Sequence, residues 1–257
     1  MRLSPFTRID RVRVPAPDPA RVGWLRDWTY AHRGLHGPGR IENGPSAFRA
    51  AVEAGYGVEC DVQRSRDDWP MIFHDWDFKR LVGRPERTEA LTAAEWKQLS
   101  YLEGEDAPIA LSDLLDIVDT KVPLLIEIKS RRRYDVETTC RRVATALDGY
   151  SGLHAVMSFD PRVSRWFRRN KLETVAGLVV REDEIGMTQA AWQRHLALWI
   201  AQPEFVAYHV EALPNPMVAD LRSRGFPILT WTVASDAACE TASTHADASI
   251  AEGAGIA

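Results

Sequence analysis

From Trp28 onward, short apolar runs alternate with longer stretches whose apolar positions recur at helical spacing, the pattern of a sheet whose strands are joined by crossover helices. The runs predict strands over Thr29–Arg33, Val58–Gln63, Met71–His74, Leu124–Lys129, Ala155–Phe159, Val175–Val180, Phe205–His209 and Ile228–Val233. Helices are predicted at Ser46–Ala54, Val136–Leu147, Arg162–Asn170, Thr188–Ala201 and Met217–Arg224, with a weaker one at Ala237–Ser243. Asp135 is placed to cap the second of these, and Pro216 and Gly225 bracket the fifth. The stretch from Phe78 to Asp119 carries more chain than one crossover needs. It predicts an excursion over one rim with short helices at Ala93–Leu99 and Ser112–Val118. Residues 1–27, with Pro15, Pro17 and Pro19, read as a polar arm lying over a single domain that spans residues 28–257, the excursion being an insertion at about 78–119.

Eight strands alternating with helices predict an α/β fold of the TIM-type (β/α)8 barrel kind, with a small insertion after the third strand. The second and third strands are joined too tightly for a parallel crossover, which needs about a dozen residues or more. An antiparallel hairpin turning at Asp67-Asp68 is expected instead. Pairing residues symmetrically about that turn sets His74 opposite Asp61, on one face of the ribbon.

The chain has 257 residues, 45% hydrophobic and 26% charged, enough for a sizeable core in one large domain or two small ones. A formal net charge of −4 argues against a surface that grips nucleic acid as a whole. Arg131-Arg132-Arg133 is a local basic run, read as a solvated cluster after a strand. Cys60, Cys140 and Cys239 are too few and too far apart for a disulfide framework or a CxxC metal pair, which suits a reducing compartment. The first 31 residues hold Arg2, Arg8, Arg11, Arg13, Arg21 and Arg26 and no apolar core of a secretory signal. No run reaches the roughly 18 apolar residues of a membrane span. The expectation is a soluble cytoplasmic protein with no stable membrane insertion, no nucleic-acid partner and an oligomeric state the sequence leaves open.

Chemistry concentrates in a few places. Glu59 and Asp61 are two apart in an apolar strand, so both carboxylates leave one face. Two anions on a largely buried strand repel each other and lose hydration, so a cation must offset them, and hard oxygen ligands suit Mg²⁺ or Ca²⁺. An exposed edge strand with a charged face is the alternative. Glu127 and Lys129 repeat the pattern in the apolar run Leu124-Leu125-Ile126-Glu127-Ile128-Lys129, either as a third carboxylate with an ammonium for an oxyanion or as a buried ion pair. His32-Arg33-Gly34 offers an imidazole and an anion-binding fork at a strand end, and His74-Asp75 offers a second imidazole. Glu42-Asn43 precedes a helix and reads equally well as an acid and a cap.

In order along the chain, Ala31-His32-Arg33-Gly34, Glu42-Asn43, Gly57 through Asp61-Val62, Phe73-His74-Asp75 with Arg80, Ile126-Glu127-Ile128-Lys129 and Thr230-Trp231-Thr232-Val233 resemble the glycerophosphodiester phosphodiesterase family. The likeness runs from about Tyr30 to Ser235. It implies a PLC-like phosphodiesterase barrel that binds one divalent cation, Mg²⁺ or Ca²⁺. Glu59, Asp61 and Glu127 match its metal ligands, Glu42 a further acid near the metal, and His32 and His74 its general base and acid. Arg33 and Lys129 match phosphate-holding positions and Trp231 an aromatic beside the substrate. The implied reaction is metal-dependent hydrolysis of a small-molecule glycerophosphodiester to glycerol 3-phosphate and an alcohol, a step of lipid metabolism. A lysophospholipase D-type activity on the same barrel, or a silent binding protein, are the alternatives. Two departures bear on the substrate-facing rim. Ala234-Ser235-Asp236 stands where Asn-Asp is usual, and Ile250-Ala251-Glu252-Gly253 where Thr-Asp-x-Pro is expected, with Glu252 a stand-in acid.

Overall fold

The computed structural model describes residues 5–183 and 188–256, and the chain divides into two compact units, residues 30–154 and residues 1–29 with 155–257. Of the arginines of the lead-in, Arg2 lies outside the described residues.

The unit 30–154 is built around one long strand. Strand β1 (Tyr30–Ala31) pairs in parallel with β2 (Gly57–Arg64), while β3 (Pro70–Ile72) returns antiparallel to β2 and β4 (Leu124–Ile128) lies parallel to it. Gly57 is required where β2 begins, because a Cβ there would fall 2.6 Å from the Tyr30 ring. Along β2, Val58, Cys60 and Val62 are fully buried, as expected of a strand covered on both faces. The alternate residues Glu59, Asp61 and Gln63 are buried as well, so half of this strand is polar and out of water.

The β2–β3 hairpin is antiparallel as the short connection requires, but its register differs from the sequence expectation by one residue. Val62 pairs with Ile72 and Gln63 with Met71, and the Phe73 N–H donates to the Asp61 carbonyl at 3.0 Å. Phe73, not His74, therefore stands across from Asp61. The cause is the loop: Ser65 and Trp69 close it by an N–H···O bond of 3.0 Å around three residues, with Asp68 left-handed at φ 66°. A symmetric turn on Asp67-Asp68 assumes a two-residue loop, and one extra residue shifts every pair beyond it.

The insertion has a core of its own rather than simply covering a rim. Phe73, Phe78 and Trp96 pack at ring separations of 4.8–5.7 Å, and Leu81, Leu99 and Ala110 join the cluster. Its helices, Lys79–Val82, Ala93–Trp96 and Leu111–Val118, are short, and the second opens with a capping box between Thr92 and Glu95.

In the other unit β5 (His154–Ser158), β6 (Val175–Val180), β7 (Phe205–His209), β8 (Ile228–Val233) and β9 (Ala248–Ala251) run parallel, each paired with the next. Helices Pro161–Asn170, Ala191–Ala201, Pro216–Ser223 and Asp236–His245 connect them, three with side-chain caps from Asp160, Asn215 and Ser235. Strand β9 was not among the expected strands. Its four residues, Ala-Ser-Ile-Ala, carry too little apolar signal to stand out without their partner β8. The lead-in is helical from Pro5 to Arg13 where its composition predicts none, and Val14, Val22 and Leu25 are fully buried. Its inward side is polar. The Asp10 carboxylate receives the Trp199 Nε1–H at 2.7 Å and lies 2.8 Å from His195 Nδ1, a long-range clamp invisible in local pattern.

Gly177 on β6 sits opposite Phe205 on β7, where an added Cβ would lie 2.3 Å from the buried ring. Gly177→Ala should lower the unfolding free energy by about 1–3 kcal/mol through overpacking. Urea denaturation checks this, and Phe205→Leu in the same background should recover part of the loss.

Candidate active site

The parallel register of β2 and β4 sets Asp61 beside Glu127, and Glu59 lies one alternation back on the same face. Carboxylate oxygens of these three buried residues lie within 4.8 Å of one another. Lys129, just past the end of β4, reaches back to Glu127 Oε1 at 2.9 Å and Asp61 Oδ1 at 3.2 Å. Arg33 follows β1 in a left-handed conformation (φ 54°), which turns its N–H to Glu59 Oε2 at 2.9 Å. Its guanidinium meets Glu42 at 2.8 Å and stands 3.2 Å from Asp61 Oδ2. Asn43, also left-handed (φ 57°), donates from Nδ2 to Asp61 at 2.9 Å and accepts the Asp61 N–H at 3.2 Å. It clamps the carboxylate rather than capping the following helix, whose cap position is Gly44.

This arrangement splits the two acids of β2. Burial, and then the neighbouring charges of Asp61 and Glu127, push Glu59 well above the ordinary carboxylate range. Burial pushes Asp61 the same way, but Lys129, Arg33 and His74 and the Asn43 amide outweigh it and hold Asp61 well below that range. Burial works against the Lys129 ammonium, yet Asp61 and Glu127 raise its pKa. Three carboxylates thus face one ammonium and one guanidinium that is shared with Glu42, and the cluster falls short of positive charge. Its donors are all oxygens, already gathered, which fits a hard divalent cation.

A second layer holds His74. Its Nδ1 lies 2.8 Å from Asp75 Oδ1, and Arg80 binds Asp75 at 2.7 and 3.0 Å and Glu42 at 2.7 and 2.8 Å. Glu42 therefore bridges two arginines and is not one of the three acids whose oxygens gather within 4.8 Å, though it shares Arg33 with Asp61. Burial works against its charged form, and the Arg80 hydrogen bonds with the two guanidiniums lower its pKa. The backbone of the His74 segment hangs on Gln63. This buried amide donates to the carbonyls of Phe73 at 3.2 Å and His74 at 2.9 Å, and to that of Asp75, while its Oε1 accepts the Thr88 hydroxyl at 2.9 Å. Neither Gln63 nor Thr88 stands out in the sequence. Gln63 had one signal, its place after Glu59 and Asp61 on the polar face of β2. Thr88 had none.

His32 continues β1 by one residue beyond Ala31, which pairs with Val58, and is half-buried. Arg131 of the basic run is not merely solvated: its guanidinium lies over the Trp76 ring at 4.7 Å. Trp231 belongs to the other unit, near the end of β8. Its Nε1–H donates to the Ala207 carbonyl at 3.2 Å, and it packs on Phe159 and His209 with Arg181 over the ring.

The family model for the glycerophosphoryl diester phosphodiesterase family matches residues 32–255. The chain belongs to this family. Members are phosphoric diester hydrolases, so the chain is an enzyme of that kind. No curated protein matches it by sequence. Among solved structures, a phosphodiesterase from Oleispira antarctica, in complex with the product sn-glycerol-3-phosphate, is similar with a TM-score of 0.76 at 22% identity, covering 87% of this chain and 92% of that one. Glycerophosphodiester phosphodiesterases from Thermotoga maritima and Parabacteroides distasonis are similar with a TM-score of 0.71 each. They are 22% and 21% identical and cover 87% of this chain, with 93% and 92% of their own. These likenesses give the fold class, the TIM-type (β/α)8 barrel. Its eight parallel strands are β1, β2 and β4 in one unit and β5–β9 in the other. The sequence count of eight included β3, which is antiparallel, and omitted β9.

The Asn43 clamp yields a prediction. Asn43→Ala removes one hydrogen bond from the buried Asp61 carboxylate and one from the Asp61 backbone N–H, and puts alanine, which tolerates left-handed backbone less well than asparagine, at φ 57°. It should cost about 1–3 kcal/mol of unfolding free energy, read by urea denaturation. Asn43→Asp, which adds a further anion, should cost more.

Proposed function

We propose that this phosphodiesterase hydrolyses glycerophosphodiesters to glycerol 3-phosphate and an alcohol, using one divalent cation and two histidines. The gathering of Glu59, Asp61 and Glu127 within 4.8 Å, short of compensating charge, carries the reading. These three acids would hold the cation, Mg²⁺ or Ca²⁺, which when bound supplies charge neutralisation for the phosphate oxygens. Lys129 and Arg33 supply further positive charge for the oxygens on which negative charge grows during attack at phosphorus.

His74 suits the general acid. With Asp75 accepting from Nδ1–H, the doubly protonated ring would carry its transferable proton on Nε2, give it to the departing alkoxide and keep Nδ1–H on Asp75. Asp75 is itself held by Arg80, and burial notwithstanding, the His74 and Arg80 hydrogen bonds keep its pKa well below the ordinary range. It therefore stays an acceptor through the reaction. His32 takes the base's part and removes the proton of the neighbouring glycerol hydroxyl. That oxygen bonds to phosphorus as the P–O bond to the alcohol breaks, and water then opens the cyclic phosphate. Trp231 serves as an aromatic of the substrate pocket.

The test is release of glycerol 3-phosphate from glycerophosphocholine with Mg²⁺, with Ca²⁺ and with a chelator. His32→Ala and His74→Ala should each lower kcat by about a hundredfold or more, and the chelator should abolish turnover. Activity that survives both chelator and His32→Ala contradicts the proposal, and turnover of lysophosphatidylcholine alone selects a lysophospholipase D-type reaction instead.

A further inference from the structure

The unit of residues 1–29 and 155–257 carries a surface that the hydrolytic chemistry does not use. Helix 191–201 packs against helix 5–13 and against helix 161–170. The three contain eight arginines and a single acid, Asp10, in a chain of net charge −4. Asp10 is buried against His195 and Trp199, so it is not itself part of the outer surface. Four of the arginines are engaged by acids elsewhere: Arg11 by Asp220, Arg162 by Asp160, Arg168 by Glu204 and Arg194 by Glu182. Arg8, Arg13, Arg165 and Arg169 are exposed and make no ion pair among the described residues.

Helix 5–13 is also inside out. A surface helix buries its apolar stripe and shows its polar one. Here Thr7 and Asp10 face inward, while Phe6, Ile9 and Val12 are exposed, Val12 to 85%. Helical spacing puts Ile9 and Val12 on one stripe, with Phe6 beside it and Arg8 and Arg13 on its flanks. The neighbouring helix adds Trp192, 55% exposed, and Leu196 one turn along.

We propose that this face docks the enzyme reversibly on an anionic lipid surface. Ile9, Val12, Leu196 and Trp192 enter the headgroup layer beside the open edge of Phe6, whose ring stacks on His195, and the four arginines without an ion pair, among them Arg13 lying over Trp199, meet lipid phosphates. Apolar side chains that include Trp and Phe, edged by Arg, are the side chains that interfacial helices present to a membrane, and here two neighbouring helices supply them. A second copy of the chain would set unpaired arginines against arginines, which disfavours self-association through this face. A nucleic acid would use the arginines but leave Ile9, Val12 and Leu196 without a partner. The contact needs no spanning segment, and no helix among the described residues is long and apolar enough to be one.

Flotation with vesicles tests this. One set is phosphatidylcholine alone, the other contains about one-third phosphatidylglycerol. The wild-type chain should float with the anionic vesicles only, less so as salt rises. The double variants Arg165→Glu with Arg169→Glu, and Ile9→Ser with Val12→Ser, should each lower partitioning by about tenfold while the circular dichroism spectrum and thermal midpoint stay unchanged. The two variants touch different helices and different forces, so misfolding of one leaves the other as the test. A wild type that ignores anionic vesicles, or partitioning that neither variant lowers, overturns the proposal. So does arginine-dependent dimerisation or retention of single-stranded RNA in place of vesicle binding.

Discussion

Three buried carboxylates on two adjacent parallel strands set the terms for the unit of residues 30–154. Burying one unpaired anion is already costly, and Glu59, Asp61 and Glu127 are close enough for each to raise the cost of the others. The chain answers with a ring of donors whose placement explains otherwise odd backbone. Arg33 and Asn43 both adopt left-handed conformations, and the Asn43 N–H donates to the Arg33 carbonyl at 2.9 Å. The two turns bring a backbone N–H to Glu59 and an amide to Asp61. Lys129 completes the set from the end of β4. The donors stabilise Asp61 as an anion but leave Glu59 reluctant to ionise, a condition that a bound cation would relieve.

The same strand organises the surroundings of His74. Gln63 continues the polar face of β2 and holds three successive carbonyls of the segment that carries His74, so the histidine is fixed to the strand that bears the carboxylates. Arg80 then ties Asp75 to Glu42, and Arg33 ties Glu42 to Asp61. From Gln63 to Lys129 the polar groups form one connected network, and such networks are stable only when their members are satisfied together. The aromatic core of the insertion, with Phe73 at its base and Phe78 and Trp96 on it, gives that network a rigid support.

How much of this was legible follows the range of each interaction. The acid pair of β2 could be read from alternation alone, as could Glu127 with Lys129, because side-chain direction in a strand is fixed by parity. Strand and helix bodies with strong apolar runs, such as Val175–Val180 and Val136–Leu147, matched residue for residue. Facts set by a loop or by distant partners were not legible. A three-residue rather than two-residue turn moved His74 off Asp61. Strand β9 needed β8 beside it. The helix Pro5–Arg13 depends on residues nearly two hundred positions away and buries a polar side that pattern alone would turn to water. Glu42 was legible as an acid near the site but not as the bridge between Arg33 and Arg80, since Arg80 arrives from beyond β3.

A carboxylate cluster that binds a cation would exchange fold stability for cation affinity, and Glu59→Gln separates the two most directly. The amide can still accept the Arg33 N–H and carries no charge. Thermal unfolding of wild type and variant, in chelator and with added Mg²⁺ or Ca²⁺, separates the two effects. The variant should melt at or above the wild-type midpoint in chelator and should lose the upward shift that the cation gives the wild type. A variant that melts lower in chelator yet keeps the full cation shift would show that Glu59 neither strains the fold nor binds the cation.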